Sequence, residues 1–151
     1  MRANWLLAPV LFWCVAVPFG LLSGLLHWQP QFDGFWLSAL VIFFIPALFE
    51  EVLFRGPLLL VKEQRKVLPI AAILLLLFVL WHPLNTFLFM PEARSLFTDP
   101  RFLFVAFGLG MTCTFLMLQS RHLLPAIMFH WLCVLGWKTL LGGQALMEGL
   151  V

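Results

Sequence analysis

Three charged side chains stand within six residues, Glu50-Glu51-Val52-Leu53-Phe54-Arg55, inside an apolar run from Phe35 to Val61 that is otherwise long enough to cross a bilayer. A charge at the centre of a membrane helix costs on the order of 2.5 to 3.5 kcal/mol on insertion scales, so the three together carry roughly 8 to 10 kcal/mol. A chain with no use for them is expected to place Leu or Val there. Ionisable groups in such a run are functional candidates when partners can be named. His82 and His130, each inside another apolar run, are those partners.

The solvent follows from composition. Of 151 residues, 63% are hydrophobic and 11% charged, against about 25% charged in soluble domains. The chain reads as a single integral-membrane domain over residues 1–151, with no stretch polar enough for a separate soluble module. The net charge of +2 and the lack of any basic patch interleaved with aromatics exclude a nucleic-acid partner; the bilayer is the expected one. Cys14, Cys113 and Cys133 all fall in apolar runs and read as small buried hydrophobes, not as a disulfide framework. The stretch after Arg2 lacks a clear small-x-small cleavage site and reads as a retained first helix.

Five membrane segments are expected, at Trp5–Leu26, Phe35–Val61, Val67–Met90, Phe102–Gln119 and Leu123–Leu141. Only helices and closed barrels satisfy their backbone groups in lipid, and these runs are too long and too continuously apolar for barrel strands. The fold class is therefore all-α, a polytopic membrane helix bundle. Arg2, Lys62, Arg65, Lys66 and Arg121 fall on one side of it, Arg94 and Arg101 on the other, with Lys138 snorkelling from the last helix. That bias predicts a cytoplasmic N-terminus and an outside C-terminus. The second segment, at roughly 40 Å if straight, exceeds a hydrocarbon core of about 30 Å. Pro46 and Pro57 each lack the N–H that a helix needs, and they bracket the charged sextet. The expectation is a proline-kinked helix beside a wet cavity.

Glu51 and Arg55 are spaced i, i+4 with the acid first, the favourable order for a helical ion pair. Glu50 has no such partner on its own helix, and a partly desolvated carboxylate suits general acid–base work. The alternative is a structural polar knot between helices. His82 precedes Pro83, which disfavours helix at His82 and predicts a break that turns the imidazole toward a cavity. A buried histidine is also an ordinary core residue when satisfied, and that reading stays open for both histidines. There is no His-Glu-x-x-His helix and no Gly-x-Ser-x-Gly elbow. A Cys133–His130 nucleophile lacks an orienting third group. One Glu and two His permit zinc, but nothing in their spacing demands it; no metal and no cofactor is expected.

Glu50-Glu51-x-x-x-Arg55, then Phe78-x-x-x-His82, then His130 shortly after Leu124-Pro125-Ala126-Ile127, resembles the CAAX-protease and bacteriocin-processing family. These are intramembrane glutamic endopeptidases that include the type II CAAX prenyl endopeptidases and the lysostaphin-resistance-type Abi proteins. The resemblance covers about residues 35–141. It implies an endopeptidase in a membrane, such as a bacterial inner membrane, whose substrate is a peptide or a membrane protein. By resemblance Glu50 would activate water, His82 would help to hold it, Glu51 and Arg55 would orient Glu50, and His130 would donate to the oxyanion. The family's usual Asn or Asp one turn after the last histidine is Val134 here, and valine cannot donate. Asn85, three residues after His82, is the candidate replacement donor, against the alternative that it only satisfies carbonyls freed by Pro83. The rival functions are a catalytically weakened scaffold or immunity-type protein, a zinc-dependent membrane protease, and a small transporter or proton relay. The unrepeated chain argues against the last of these.

Overall fold

A computed structural model of the chain describes residues 5–143, so Arg2 and its part in the charge bias lie outside the described residues. Five apolar helical segments occur where the hydropathy places them. They are α1 (Leu7–Ser23), a broken segment from Phe35 to Leu60, α4 (Gln64–Leu88), α6 (Pro100–Ser120) and α7 (Leu124–Leu140). Three of these, at 26, 25 and 21 residues, are long and apolar enough to cross a membrane. α1 and α7 are apolar helices of 17 residues each, about 25 Å at 1.5 Å per residue. Among the described residues there is no β-strand, only one isolated bridge between Gln29 and Leu141.

The outside of the bundle is apolar. Leu22, Trp36, Leu60 and Leu68 stand largely exposed, with many smaller exposed apolar faces around them. In water such continuous apolar surface would be an aggregation liability; in lipid it is the required exterior. α6 is the central post and packs against α1, α4 and α7. Its buried face carries Ala106, Gly110, Thr112 and Cys113, small residues that let neighbouring backbones come close, as membrane helix packing requires. Asp99 caps its start by accepting from the Arg101 backbone N–H at 2.7 Å, and the Arg101 guanidinium reaches the carbonyl of Ser23 at 2.7 Å, which ties the end of α1 to the start of α6.

The second segment does break. α2 (Phe35–Ile42) leads into a wide π-type turn (Phe43–Leu48), then α3 (Phe49–Phe54) and a 3-10 turn (Gly56–Leu60). Ile45 leaves helical geometry at φ −135°, ψ 113°, the extended conformation that a residue before proline prefers. The interruption falls just ahead of Glu50 and Glu51 and redirects the short helix that carries them. Pro57 marks the second change of geometry, where α3 gives way to the 3-10 turn.

The expected break at His82–Pro83 does not occur. α4 runs on through both Pro69 and Pro83. Two side chains hold the turns around Pro83: the His82 imidazole Nδ1 bonds the Phe78 carbonyl at 3.0 Å and the Thr86 hydroxyl donates to the Pro83 carbonyl at 2.7 Å. With Phe78 and Thr86 buried, packing outweighs the local preference of one X-Pro pair. The connection after α4 also carries order, in a 3-10 turn (Pro91–Ala93) and α5 (Arg94–Phe97) that bury Ala93 and Leu96.

α4 separates the Lys62–Lys66 connection from the Pro91–Arg101 connection by its whole length. Single cysteines replacing Gln64 and Ser95, both exposed, should therefore react with an impermeant maleimide from opposite faces of a sealed vesicle. Labelling of both from one face would contradict α4 as a spanning helix.

Candidate active site

The break at Ile45–Pro46 delivers Glu50 and Glu51 in the first turn of α3, and both are buried, at 6% and 0% exposure. One turn on, Arg55 is 1% exposed. Its Nη1 meets Glu51 Oε1 at 3.1 Å, the i, i+4 pair expected from the spacing. The guanidinium is satisfied on its other edges by α6: Nη2 donates to the Gly110 carbonyl at 2.9 Å and Nε to the Thr114 hydroxyl at 3.4 Å. Its face lies over the Phe78 ring of α4, 4.2 Å from the centroid, a desolvated cation–π contact. Gly110 makes room for this seat. A Cβ there would stand 2.8 Å from Arg55 Nη2 and 2.7 Å from a Leu75 methyl.

α7 brings in His130, buried and bonded through Nδ1 to the same Glu51 Oε1 at 2.8 Å. A carboxylate accepts, so Nδ1 carries the proton and the tautomer follows from that partner. Nε2 then faces Glu50 Oε2 at 3.8 Å, beyond a direct hydrogen bond. The other oxygen of Glu50, Oε1, accepts from the indole Nε1 of Trp81 at 3.2 Å. Among the described residues Glu50 Oε2 and Glu51 Oε2 are buried without a hydrogen-bond partner, which a native site tolerates only for a reason. Glu51 is thus paired with a guanidinium and a histidine through Oε1, whereas Glu50 has the Trp81 indole as its one hydrogen-bond donor, and each keeps its Oε2 uncommitted.

The remaining sequence candidates lie near this core without joining its hydrogen bonds. His82 rests edge-on to Phe78, with ring centroids 5.1 Å apart, and Phe78 in turn meets His130 at 6.0 Å. Phe97 and Phe102 close around His82 at 5.6 and 5.3 Å. Its Nδ1 is spent on its own helix, so Nε2 is the ring nitrogen left over. Asn85 sits half-buried one turn further on; its backbone carbonyl accepts from Phe89 and Met90 at the helix end, and its side-chain amide has no partner among the described residues. Val134 packs against Ala39, Ile42 and Leu135, an apolar contact to α2 in which an amide would be misplaced. Three participants escape a reading of charges and histidines. They are Trp81, which contacts Glu50, and Gly110 and Thr114, which seat Arg55. A tryptophan deep inside an apolar run, with an N–H that must find an acceptor, is the signal that points to the first.

Cys113 is a fourth. Its sulfur, a carboxylate oxygen of Glu51 and a ring nitrogen of His130 lie within 4.8 Å of one another, the only potential metal-binding group among the described residues. The zinc set allowed by the sequence, one Glu with two His, is not what gathers. Glu51 Oε1 already accepts from Arg55 and from His130, which leaves Oε2 as the open oxygen of this group.

An all-α bundle with an apolar exterior and a buried acid–histidine–arginine cluster defines a membrane-embedded protein with ionisable groups at its centre. A family model, type II CAAX prenyl endopeptidase Rce1-like, matches residues 32–136, a span that contains every residue of the cluster. The chain belongs to that family, and so to the CAAX-processing endopeptidases of membranes. Comparisons with curated proteins and with solved structures give no match.

Removing the guanidinium leaves Glu51 buried without its cation. Arg55→Leu should therefore lower stability by about 3–5 kcal/mol, the usual consequence of breaking a buried pair on one side. Gly110→Ala should cost about 1–3 kcal/mol through overpacking. Thermal unfolding in detergent checks both, and an unchanged midpoint for Arg55→Leu would contradict the pair's place in the core.

Proposed function

We propose that the protein is an intramembrane endopeptidase that hydrolyses its peptide bond with a water activated by Glu50 and without a covalent intermediate. The observation that carries this reading is the asymmetry of the acid pair. Glu51 is held by Arg55 and His130, whereas Glu50 meets no guanidinium and its one hydrogen bond comes from the Trp81 indole, with its Oε2 3.8 Å from His130 Nε2. In the proposed step Glu50 Oε2 takes a proton from water and the oxygen attacks the scissile carbonyl. The oxyanion forms beside His130, and Glu50 passes the proton to the leaving amine as the C–N bond breaks. Charge develops where fixed donors already stand, which needs no reorganisation at the moment of reaction. His130 acts through Nε2–H. To donate there while Nδ1–H stays on Glu51, both ring nitrogens must carry protons. His82, through its free Nε2, helps to hold the water. Asn85 supplies the amide donor that Val134 cannot.

The substrate class follows the family: a peptide or membrane protein with a CAAX-type terminus. The N-terminus is cytoplasmic, with Gln64 on that side, in a bacterial inner membrane. Val134 in its apolar contact favours one second reading, a weakened or non-catalytic member that keeps the polar cluster for packing. Turnover separates the two.

In proteoliposomes, cleavage of an internally quenched farnesylated CAAX peptide, with the unfarnesylated peptide in parallel, should fall by ~10²–10⁴-fold in Glu50→Gln, the range for loss of a general base. Asn85→Leu should lose ~10²–10³-fold, the range for one oxyanion donor. Activity should survive exhaustive chelation. Full activity of Glu50→Gln would refute the mechanism. Loss of zinc and of activity together on chelation would favour the Glu51–Cys113–His130 group as a metal site.

A further inference from the structure

We propose that Trp81 is a positioning residue that fixes which oxygen of Glu50 meets the reacting water; the inference rests on Glu50 being the general base. Four side chains of α4 follow the i, i+3, i+4, i+7 spacing of a single helical stripe: Phe78, Trp81, His82 and Asn85. Phe78 covers the Arg55 guanidinium. Trp81, one turn on, donates its indole N–H to Glu50 Oε1 at 3.2 Å. The indole is a donor only, so this contact has one direction in every protonation state of the acid. A hydroxyl or an amide in its place could reverse roles; an indole cannot.

The ring that carries the donor is itself held. Phe49, Phe54 and Phe89 surround it with centroids 6.5, 6.3 and 6.3 Å away. Phe49 and Phe54 belong to the same short helix as Glu50, so α3 grips the indole on both sides of the carboxylate that the indole contacts. With Oε1 engaged, rotation of the Glu50 carboxyl is restrained and Oε2 stays toward His130 Nε2. The proton taken from water therefore arrives on Oε2, the oxygen without a protein partner among the described residues. Placement of that oxygen to within a fraction of an ångström is what catalysis by a positioned base demands.

A purely structural tryptophan would need only its ring packed and its N–H satisfied, and three replacements distinguish the two roles. Trp81→Phe keeps an aromatic ring and loses the donor. Trp81→benzothienylalanine keeps the full indole shape with sulfur in place of N–H. Trp81→His keeps an N–H at the equivalent place of the five-membered ring and loses the fused ring. Turnover of the farnesylated CAAX peptide is measured in proteoliposomes, and the carboxyl vibration of Glu50, identified by its disappearance in Glu50→Gln, by difference infrared spectroscopy. The expected result is a kcat lower by roughly 10- to 100-fold at unchanged KM in Trp81→Phe and in the benzothienyl variant, the size of a hydrogen bond to a charged group. Partial recovery in Trp81→His and a shifted Glu50 band in both donor-less variants are expected with it. Wild-type kcat with an unmoved band in the benzothienyl variant would overturn the inference, as would equal loss in Trp81→His and Trp81→Phe. Full turnover in Glu50→Gln would instead overturn the role of Glu50 as base, while the infrared band still decides whether Trp81 orients that carboxyl.

Discussion

The buried pair of Glu51 and Arg55 is the interaction on which the rest of the molecule is arranged. Desolvating two charges costs several kcal/mol each, and their mutual attraction offsets this only when the remaining donors and acceptors are satisfied too. Arg55 meets that condition with contributions from three other places in the bundle: the Gly110 carbonyl and Thr114 hydroxyl of α6 and the Phe78 ring of α4. Glu51 meets it on Oε1, with His130 of α7, and leaves Oε2 without a partner among the described residues. Four helical segments thus converge on one ion pair, and each must hold its register for the pair to survive. An apolar cluster of the same volume would serve stability as well or better. What the charges hold in place is His130 of α7, with Nε2 3.8 Å from Glu50 Oε2.

Two prolines show how such a register is set. Pro46 and Pro83 each follow a residue that prefers extended backbone, yet only Ile45 adopts it. Around Pro83 the imidazole of His82 and the hydroxyl of Thr86 bond carbonyls of the neighbouring turns, and the flanking residues are buried. The helix survives there at little cost. Around Pro46 no side chain hydrogen bond caps the turn, and the chain bends. Both outcomes shape the site. The bend turns α3 so that adjacent glutamates reach different partners, and the unbroken α4 keeps Phe78, Trp81, His82 and Asn85 on one stripe.

Much of this was legible from residues alone. Five apolar runs with short connections specify an all-α bundle, and the i, i+4 spacing of Glu51 and Arg55 specifies their pairing, because both are local consequences of helix geometry. The convergence of His130 on the same carboxylate was suggested only by its company in an apolar run. Whether His82 would hydrogen-bond the glutamates could not be read at all: its ring faces Phe78, Phe97 and Phe102 and bonds its own helix, an outcome of aromatic packing between distant segments. The same holds for Trp81, Gly110 and Thr114. Each is a common residue of apolar helices, and its role appears only when α3, α4 and α6 are brought together.

The acid pair also carries a chemical lesson about division of labour. Two adjacent carboxylates on a helix project in different directions, about 100° apart at 3.6 residues per turn, so the same short helix offers one to a guanidinium and the other to an indole. Glu51, facing Arg55 and His130, places a proton of the histidine on Nδ1 by accepting from it. That choice fixes Nε2 as the nitrogen turned toward Glu50. Separating the environments of two like groups in this way is how sites assign distinct proton-transfer roles to identical side chains. No guanidinium holds Glu50, and its single protein donor, the Trp81 indole, leaves the second oxygen open. Which oxygen of Glu50 is engaged follows from one turn of α4 lying against one turn of α3.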